Sequence, residues 1–375
     1  MAEPPPEPDR IEGAPHPRET QAIFGQDAAE SAVLQAFNSG RMHHGWLLTG
    51  PRGVGKATLA WRFARFLLAR PAPDEAGLFG APPAAQSLDV PPDHPVARRM
   101  LALSEPRLKL IRRSLNERGQ MRQVIAVEDV RGLRDFFGLS ATEGGRRVVI
   151  VDAADEMNPN SANAILKLLE EPPAGAVLLL VAHQPSRLLP TIRSRCRVLK
   201  LAPLDAPAMA AALEQAGAGE ADATALAGLA ALSGGSVGEA LRLLAGDGLA
   251  TYGQIVALMA AMPGLSRPDL IQLADSAAGR GAEARFDLIV RLADLAVARL
   301  ARAGASGTAP DEAARGEAQM IARLAPDARA ARIWADLAAD LGVRARAGKA
   351  VNLDPAALVI DMFRRMEAAA RSLAR

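Results

Sequence analysis

The apolar positions change period several times along the chain. From Ile23, the stretch FGQDAAESAVLQAF carries its apolar residues at helical spacing and leads to Trp46–Thr49, a short apolar run that predicts a buried strand. Leu59, Ala60, Phe63 and Leu67 then return to helical spacing. The run Val148–Val151, which ends at Asp152, and the run AVLLLVAH from Ala176 are apolar on both faces, as strands are at the centre of a parallel sheet. RLKLIRR and QVIAVEDVRGL predict two strands and the start of a helix. In TIRSRCRVLKL, Ile192, Ser194, Cys196 and Val198 alternate with Arg193, Arg195 and Arg197, which is the period of a half-buried strand. Between these runs, Asn158 before Pro159 predicts a capped helix start and Pro172 its stop. Strands alternating with helices over residues 19–203 predict a doubly wound α/β domain.

Beyond Asp205 the strand pattern fades. Residues 204–246 predict a small helical domain and residues 247–375 a second helical domain. The last helix is opened by Asp354 and Pro355, with Val359, Phe363 and Met366 on one face. Residues 1–18 are rich in proline and charge and are expected to be a disordered tail. Residues 71–95 hold too many prolines for a regular element and are expected to be a surface excursion.

Composition narrows the classes. The apolar share is 49% but aromatics are only 3%, so the helical part is expected to pack through small side chains. The formal charge of +2 is too small to argue for nucleic acid by itself. A single cysteine, Cys196, excludes an intramolecular disulfide, and the five histidines show no metal-ligand spacing. The start MAEPPPEPDR lacks the basic and apolar segments of a secretion signal, and no run approaches the roughly 18 apolar residues of a membrane helix. A cytoplasmic protein without a membrane partner is the expectation.

Residues 50–58, GPRGVGKAT, sit between the first strand and its helix, the context a phosphate loop requires. Gly50, Gly55 and Lys56 fit the pattern G-x-x-x-x-G-K-[ST], and Gly53 is a further nucleotide-binding candidate inside the loop. Backbone N–H groups of such a loop cradle phosphates, and its lysine reaches the terminal ones. Ala57 stands where a hydroxyl would hold magnesium, with Thr58 one place late. The pattern therefore supports binding of a nucleotide and leaves hydrolysis open.

FGQD, HHGWLLTGPRGVGKATLAWRFARFLL, NPNSANAILKLLEEPP and Ser194-Arg195-Cys196, in this order, resemble bacterial DNA polymerase III clamp-loader subunits of the AAA+ class, with the delta-prime type the nearest match. The resemblance covers about residues 20–203 and is weaker in the helical remainder. It implies an AAA+-like domain, a helical lid and a C-terminal helical domain that joins neighbouring subunits in a collar. It also implies gamma/tau-type and delta-type partners, with the sliding clamp and primed DNA reached through the complex.

Within that resemblance, Asp152 takes the place of the magnesium-ordering aspartate, and Ala153 stands where a glutamate would polarise water. Asp155 and Glu156 follow as loop or cap residues. Gly238, in GSVGEAL, replaces the nucleotide-sensing arginine of motor subunits, and Ala182-His183 replaces their polar first sensor. The four cysteines of a zinc module are missing, so no zinc is expected. Arg195 is the expected catalytic arginine, acting in trans at a neighbour's site. ATP or ADP is expected to be held without turnover, and the alternative is an ATP-hydrolysing motor of the gamma/tau type. The basic positions Arg98, Arg99, Arg107, Lys109, Arg112 and Arg113 could face DNA or solvent.

Overall fold

The computed structural model describes residues 7–10, 14–70, 84–138, 145–218 and 222–373. These form two compact units. One comprises residues 1–217 with 235–238, and the other residues 218–234 with 239–375. Residues 204–246 are thus shared between the two units.

The first unit is built on a five-stranded parallel sheet, β1 (Gly45–Thr49), β2 (Leu108–Ile111), β3 (Arg147–Asp152), β4 (Ala176–Val181) and β5 (Arg197–Lys200), in the order β2-β3-β4-β1-β5. β1, β3 and β4 are buried at every residue, because the sheet is covered on both faces and their side chains find apolar neighbours on either side. The connection leaving β1 runs to the β2 edge, whereas the connection leaving β4 crosses to β5 at the other edge. A crevice therefore opens at the carboxyl ends of β1 and β4, where open α/β sheets bind ligands. Helix α1 (Asp27–Asn38) precedes β1, and α2 (Lys56–Ala69) follows it with Leu59, Phe63, Phe66 and Leu67 buried. Asn158 accepts from the Ser161 N–H at 2.9 Å and starts the helix Pro159–Glu170, with proline in its first turn. That helix ends before Pro172, as the sequence predicts.

Three expectations are corrected. The segment around Arg195 is not one strand: Pro190–Ser194 is a short helix, and only Arg197–Lys200 pairs with β1. Pro190 presets the first helical turn, and the buried Ile192 and Cys196 are four apart, a spacing that suits a helix as well as alternation. In β5 it is Leu199 that points inward, and Val198 is 53% exposed.

QVIAV likewise makes no strand. Ile125 forms an isolated bridge to Met157, and its backbone is used by Glu156, Asn158 and the Ser161 hydroxyl. The N-terminal stretch 1–18 also departs from a disordered tail at its described residues. Arg112 bonds Glu7 and Asp9, His16 is fully buried with Nε2 3.0 Å from Asp9, and Arg65 donates to the Arg18 carbonyl. Opposite charges outweigh the composition there. Residues 71–83 of the proline-rich excursion lie outside the described residues. In its remainder Ala85 and Leu88 are buried, and Asp89 pairs with Arg62 at 2.7 Å.

The second unit is helical among its described residues. Two long helices, Glu283–Ser306 and Ala328–Ala350, pack along each other. Glycine permits the approach: a Cβ at Gly342 would strike the Asp294 carboxylate, and one at Gly304 would lie 2.9 Å from the Asp327 carbonyl. Trp334, Phe286, Phe363 and Tyr252 fill the interior. Val359, Phe363 and Met366 of the last helix, Pro355–Leu373, are buried as its pattern predicts.

Candidate functional site

The phosphate loop leaves β1 and turns into α2 through three glycines at positive φ, Gly50 (140°), Gly53 (80°) and Gly55 (97°). Side chains are excluded there as well as strained. A Cβ at Gly50 would lie 2.5 Å from the Leu201 carbonyl, and one at Gly53 would strike the Ser236 hydroxyl and the Gly238 backbone. Gly238 N–H also donates to the Gly53 carbonyl at 3.2 Å. Gly238, which stands in the place of the motor subunits' arginine, thus makes a backbone contact with the loop. Gln26, from FGQD, fastens the other side: its amide donates to the carbonyls of Val54 (3.3 Å) and Ala202 (2.8 Å), and its oxygen accepts from the Ala202 N–H (3.1 Å).

Lys56 opens α2 and is almost fully buried. Its ammonium donates to the Gly50 carbonyl at 2.8 Å and the Pro51 carbonyl at 2.5 Å. Burial pulls it down to about 8, with Arg52 adding to the shift and Asp152 and Asp155 opposing it. Asp152 ends β3 and is pushed up to about 7 by burial, with Asp9 and Glu156 adding and Lys56 and Arg112 opposing. Ala57 and Thr58 lie half-buried in the first turn of α2.

Asp155 follows on a short 3-10 turn and is buried. Its two oxygens accept from the backbone N–H groups of His183 (2.9 Å) and Gln184 (3.0 Å), so it fixes the turn after β4. His183 is pulled down to about 4 by burial and by nearby Lys56 and Arg52, against Asp155. Its Nδ1 is buried without a hydrogen-bond partner. Glu156 pairs with Arg113 at 2.8 Å.

These residues fit a phosphate group. The cradle is the glycine loop, the charge is Lys56, and the orphaned His183 Nδ1 supplies a free polar atom at the same edge. Magnesium fits less well, since Ala57 offers no hydroxyl and Asp155 is committed to backbone amides. Among the described residues, no group of three or more His, Cys, Asp or Glu could hold a metal ion.

Arg195 lies elsewhere. It directly follows the short helix and stands two residues before Arg197, which is opposite Trp46 at the amino end of β1. The five residues of β1 separate that end from the phosphate loop by about 13 Å, too far for Arg195 to serve its own loop. Its guanidinium bonds Glu170 at 3.0 Å and the Thr191 carbonyl at 3.0 Å, and the side chain remains 37% exposed. The motifs converge here. A Cβ at Gly45 would meet Leu169, the Arg195 carbonyl and the Cys196 sulfur, and the His44 ring bonds the Leu169 carbonyl at 3.0 Å. HHG, LLEEPP and SRC are therefore one packed cluster. Of the six basic positions Arg98, Arg99, Arg107, Lys109, Arg112 and Arg113, four are engaged by carboxylates: Arg99 and Arg107 on Glu105, Arg112 on Glu7 and Asp9, and Arg113 on Glu156.

Sequence reasoning missed the structural work of Gln26 and Asp155. Gln26 was visible only as part of a motif, and nothing in the spacing marked Asp155 as buried.

A phosphate loop at the switch point of a five-stranded parallel sheet, with an aspartate ending the neighbouring strand, defines a P-loop α/β domain. Residues 25–205 match the family model described as DNA polymerase III, delta subunit. Over 204 residues the chain is 44% identical to DNA polymerase III subunit delta' of Pseudomonas aeruginosa, covering 53% of this chain and 55% of that one. It is 29% identical over 185 residues to DNA polymerase III subunit gamma of Buchnera aphidicola, covering 49% and 45%. A tau subunit of Salmonella typhimurium is 32% identical over 184 residues, covering 49% and 25%. The chain thus spans about half the length of the delta' and gamma relatives. Among solved structures, a gamma-subunit-related protein of Thermotoga maritima aligns over 90% of this chain and 99% of its own, at 16% identity and a TM-score of 0.35. The RuvB branch-migration motor of the same organism aligns over 70% and 82%, at 15% identity and a TM-score of 0.37.

Proposed function

We propose that the chain is a delta-prime-type subunit of the DNA polymerase III clamp loader, a non-hydrolysing AAA+ scaffold that supplies Arg195 to the ATP site of a neighbouring subunit. The observation that carries this reading is the separation of the two chemistries: Arg195 stands exposed at the sheet end opposite its own phosphate loop. An arginine so placed cannot serve its own loop and is exposed to a neighbouring subunit. A guanidinium at a transferring phosphoryl group contributes roughly 10³–10⁵ in rate, or about 4–7 kcal/mol of barrier.

The chain's own site supports binding without turnover. Ala57 removes a magnesium ligand, Ala153 a base and Gly238 a sensor. Neither nearby carboxylate replaces the base, since Asp155 holds two amides and Glu156 holds Arg113. When bound, ATP or ADP would place its phosphates in the Gly50–Gly55 loop against Lys56. Gamma/tau-type and delta-type subunits are the partners in this reading, and the sliding clamp and primed DNA are reached through the complex. The compartment is the cytoplasm. No single helix among the described residues is long and apolar enough to cross a membrane.

The test has two arms. The purified chain should show no ATP turnover above that of its Lys56→Ala variant; turnover abolished by Lys56→Ala would restore the motor reading. In a loader assembled with active gamma-type subunits, Arg195→Ala should lower ATP turnover by at least tenfold. Unchanged turnover there would remove the trans role.

A further inference from the structure

The second unit carries a cleft that the nucleotide chemistry does not use. Its volume is about 1030 Å³, and it lies among the N-terminal end of helix Arg267–Asp275, the first turn of Ala328–Ala350 and the exposed face of Pro355–Leu373. Its aliphatic lining includes Leu265, Ile271 and Ile360, and Ile271 is 51% exposed. Four arginines line it, Arg267, Arg329, Arg364 and Arg371, against one carboxylate, Glu367. Glu367 is already paired with Arg371 at 2.9 Å. Arg267, Arg329 and Arg364 have no carboxylate within salt-bridge distance among the described residues, whereas Arg344 and Arg365 of the same unit pair with Asp361.

Folding alone does not account for this arrangement. Arg267 and Arg329 sit in the first turns of their helices, where the helix dipole disfavours a cation. Three exposed guanidinium groups without a carboxylate partner gain charge-assisted hydrogen bonds once an anion arrives. No aromatic residue lines the cleft, so it offers no platform for stacked bases. At about 1030 Å³ the cleft lies at the upper end of the range of ligand sites, with room for several residues of a peptide.

We infer that this cleft docks an acidic peptide segment of a partner protein, in which Asp or Glu side chains meet Arg267, Arg329 and Arg364 and interleaved aliphatic side chains cover Leu265, Ile271 and Ile360. The reading is independent of the nucleotide site. Arginine anchors beside exposed aliphatic surface have the composition of interface centres, where lysine and carboxylates are depleted.

The test pans a random phage-displayed dodecapeptide library against the full chain and measures the enriched peptides by fluorescence anisotropy. Enrichment of peptides that combine at least three carboxylates with aliphatic residues is expected. Their affinity should fall at least tenfold in Arg267→Ala/Arg364→Ala and several-fold in Ile271→Ser, and should weaken steeply with salt. These positions are exposed, and an unchanged melting temperature excludes misfolding as the cause. Enriched peptides without acidic bias, or affinity unchanged in the double variant, would overturn the inference. So would a 20-residue oligo(dT) that binds as tightly and loses affinity in the same variant, because the cleft would then be a nucleic-acid site.

Discussion

Glu317 ties three segments of the helical unit together through one buried carboxylate. It is fully buried and takes part in a buried charge network. Its carboxylate accepts from the Tyr252 hydroxyl at 2.6 Å, Arg299 Nε at 2.6 Å, Arg299 Nη2 at 3.2 Å and the Ala313 N–H at 2.7 Å. Glu317→Ala leaves Arg299 with only the Ala231 and Asp311 carbonyls, and leaves Tyr252 and the Ala313 N–H without these partners. Removing one partner of a buried pair costs about 3–5 kcal/mol. In a unit of roughly 150 residues, that corresponds to a fall in melting temperature of about 6–20 °C, read by calorimetry. Removing both charges with Arg299→Met/Glu317→Leu should cost less than Glu317→Ala, because no uncompensated charge stays buried. A shift below about 2 °C for Glu317→Ala, or a double variant worse than either single change, would refute this account. The network also has a pH signature. Burial and the neighbouring Glu317 hold the Tyr252 phenol above its ordinary value, so its contribution is complete below about pH 10 and is lost as pH rises further.

Three shorter expectations follow from the first unit. Burial alone would raise Glu7, but hydrogen bonds from Arg18, Arg10 and Arg112 and the nearby His16 lower it to about 2. The N-terminal segment should therefore stay docked above about pH 4.5 and loosen as pH falls toward 2, which limited proteolysis with pepsin would detect. Lys56 is drawn down to about 8 by burial, so ATP affinity measured by calorimetry should fall as pH rises through 8, and Lys56→Arg should flatten that dependence. Glu170→Gln removes the ion pair that holds Arg195; neighbour-site turnover should fall several-fold while assembly is unchanged in gel filtration.

The parts of this fold legible in the sequence are those where one interaction dominates. β1, β3 and β4 are apolar on both faces because they lie inside the sheet, and Asn158 and Pro159 define a helix start by local chemistry alone. The segment 190–200 misled because Ile192 and Cys196 satisfy a period of two and a spacing of four equally. Only the proline, which presets the helical turn, separates the readings. The N-terminal stretch misled for a different reason. Its ordering depends on Arg112, more than a hundred residues away in the chain, and no local pattern reports a distant counter-charge. The Gly238 contact with Gly53 belongs to the same class, as does Asp155, whose partners follow the next strand.

The domain has two chemical ends, and this yields a quantitative consequence. At the carboxyl ends of the strands, Lys56, Asp152, Asp155 and His183 surround the phosphate loop; at the amino ends, HHG, LLEEPP and SRC fix Arg195. The two groups share no hydrogen-bond partner and are about 13 Å apart along β1. Changes at such separation add to within about 0.5 kcal/mol. The effects of Lys56→Ala and Arg195→Ala on turnover by an assembled loader should therefore combine additively in free energy, with Lys56→Ala alone near neutral. A coupling above about 1 kcal/mol would mean that nucleotide in this chain's own loop moves the arginine it presents to its neighbour, and the fixed-scaffold reading would give way to a conformationally linked one.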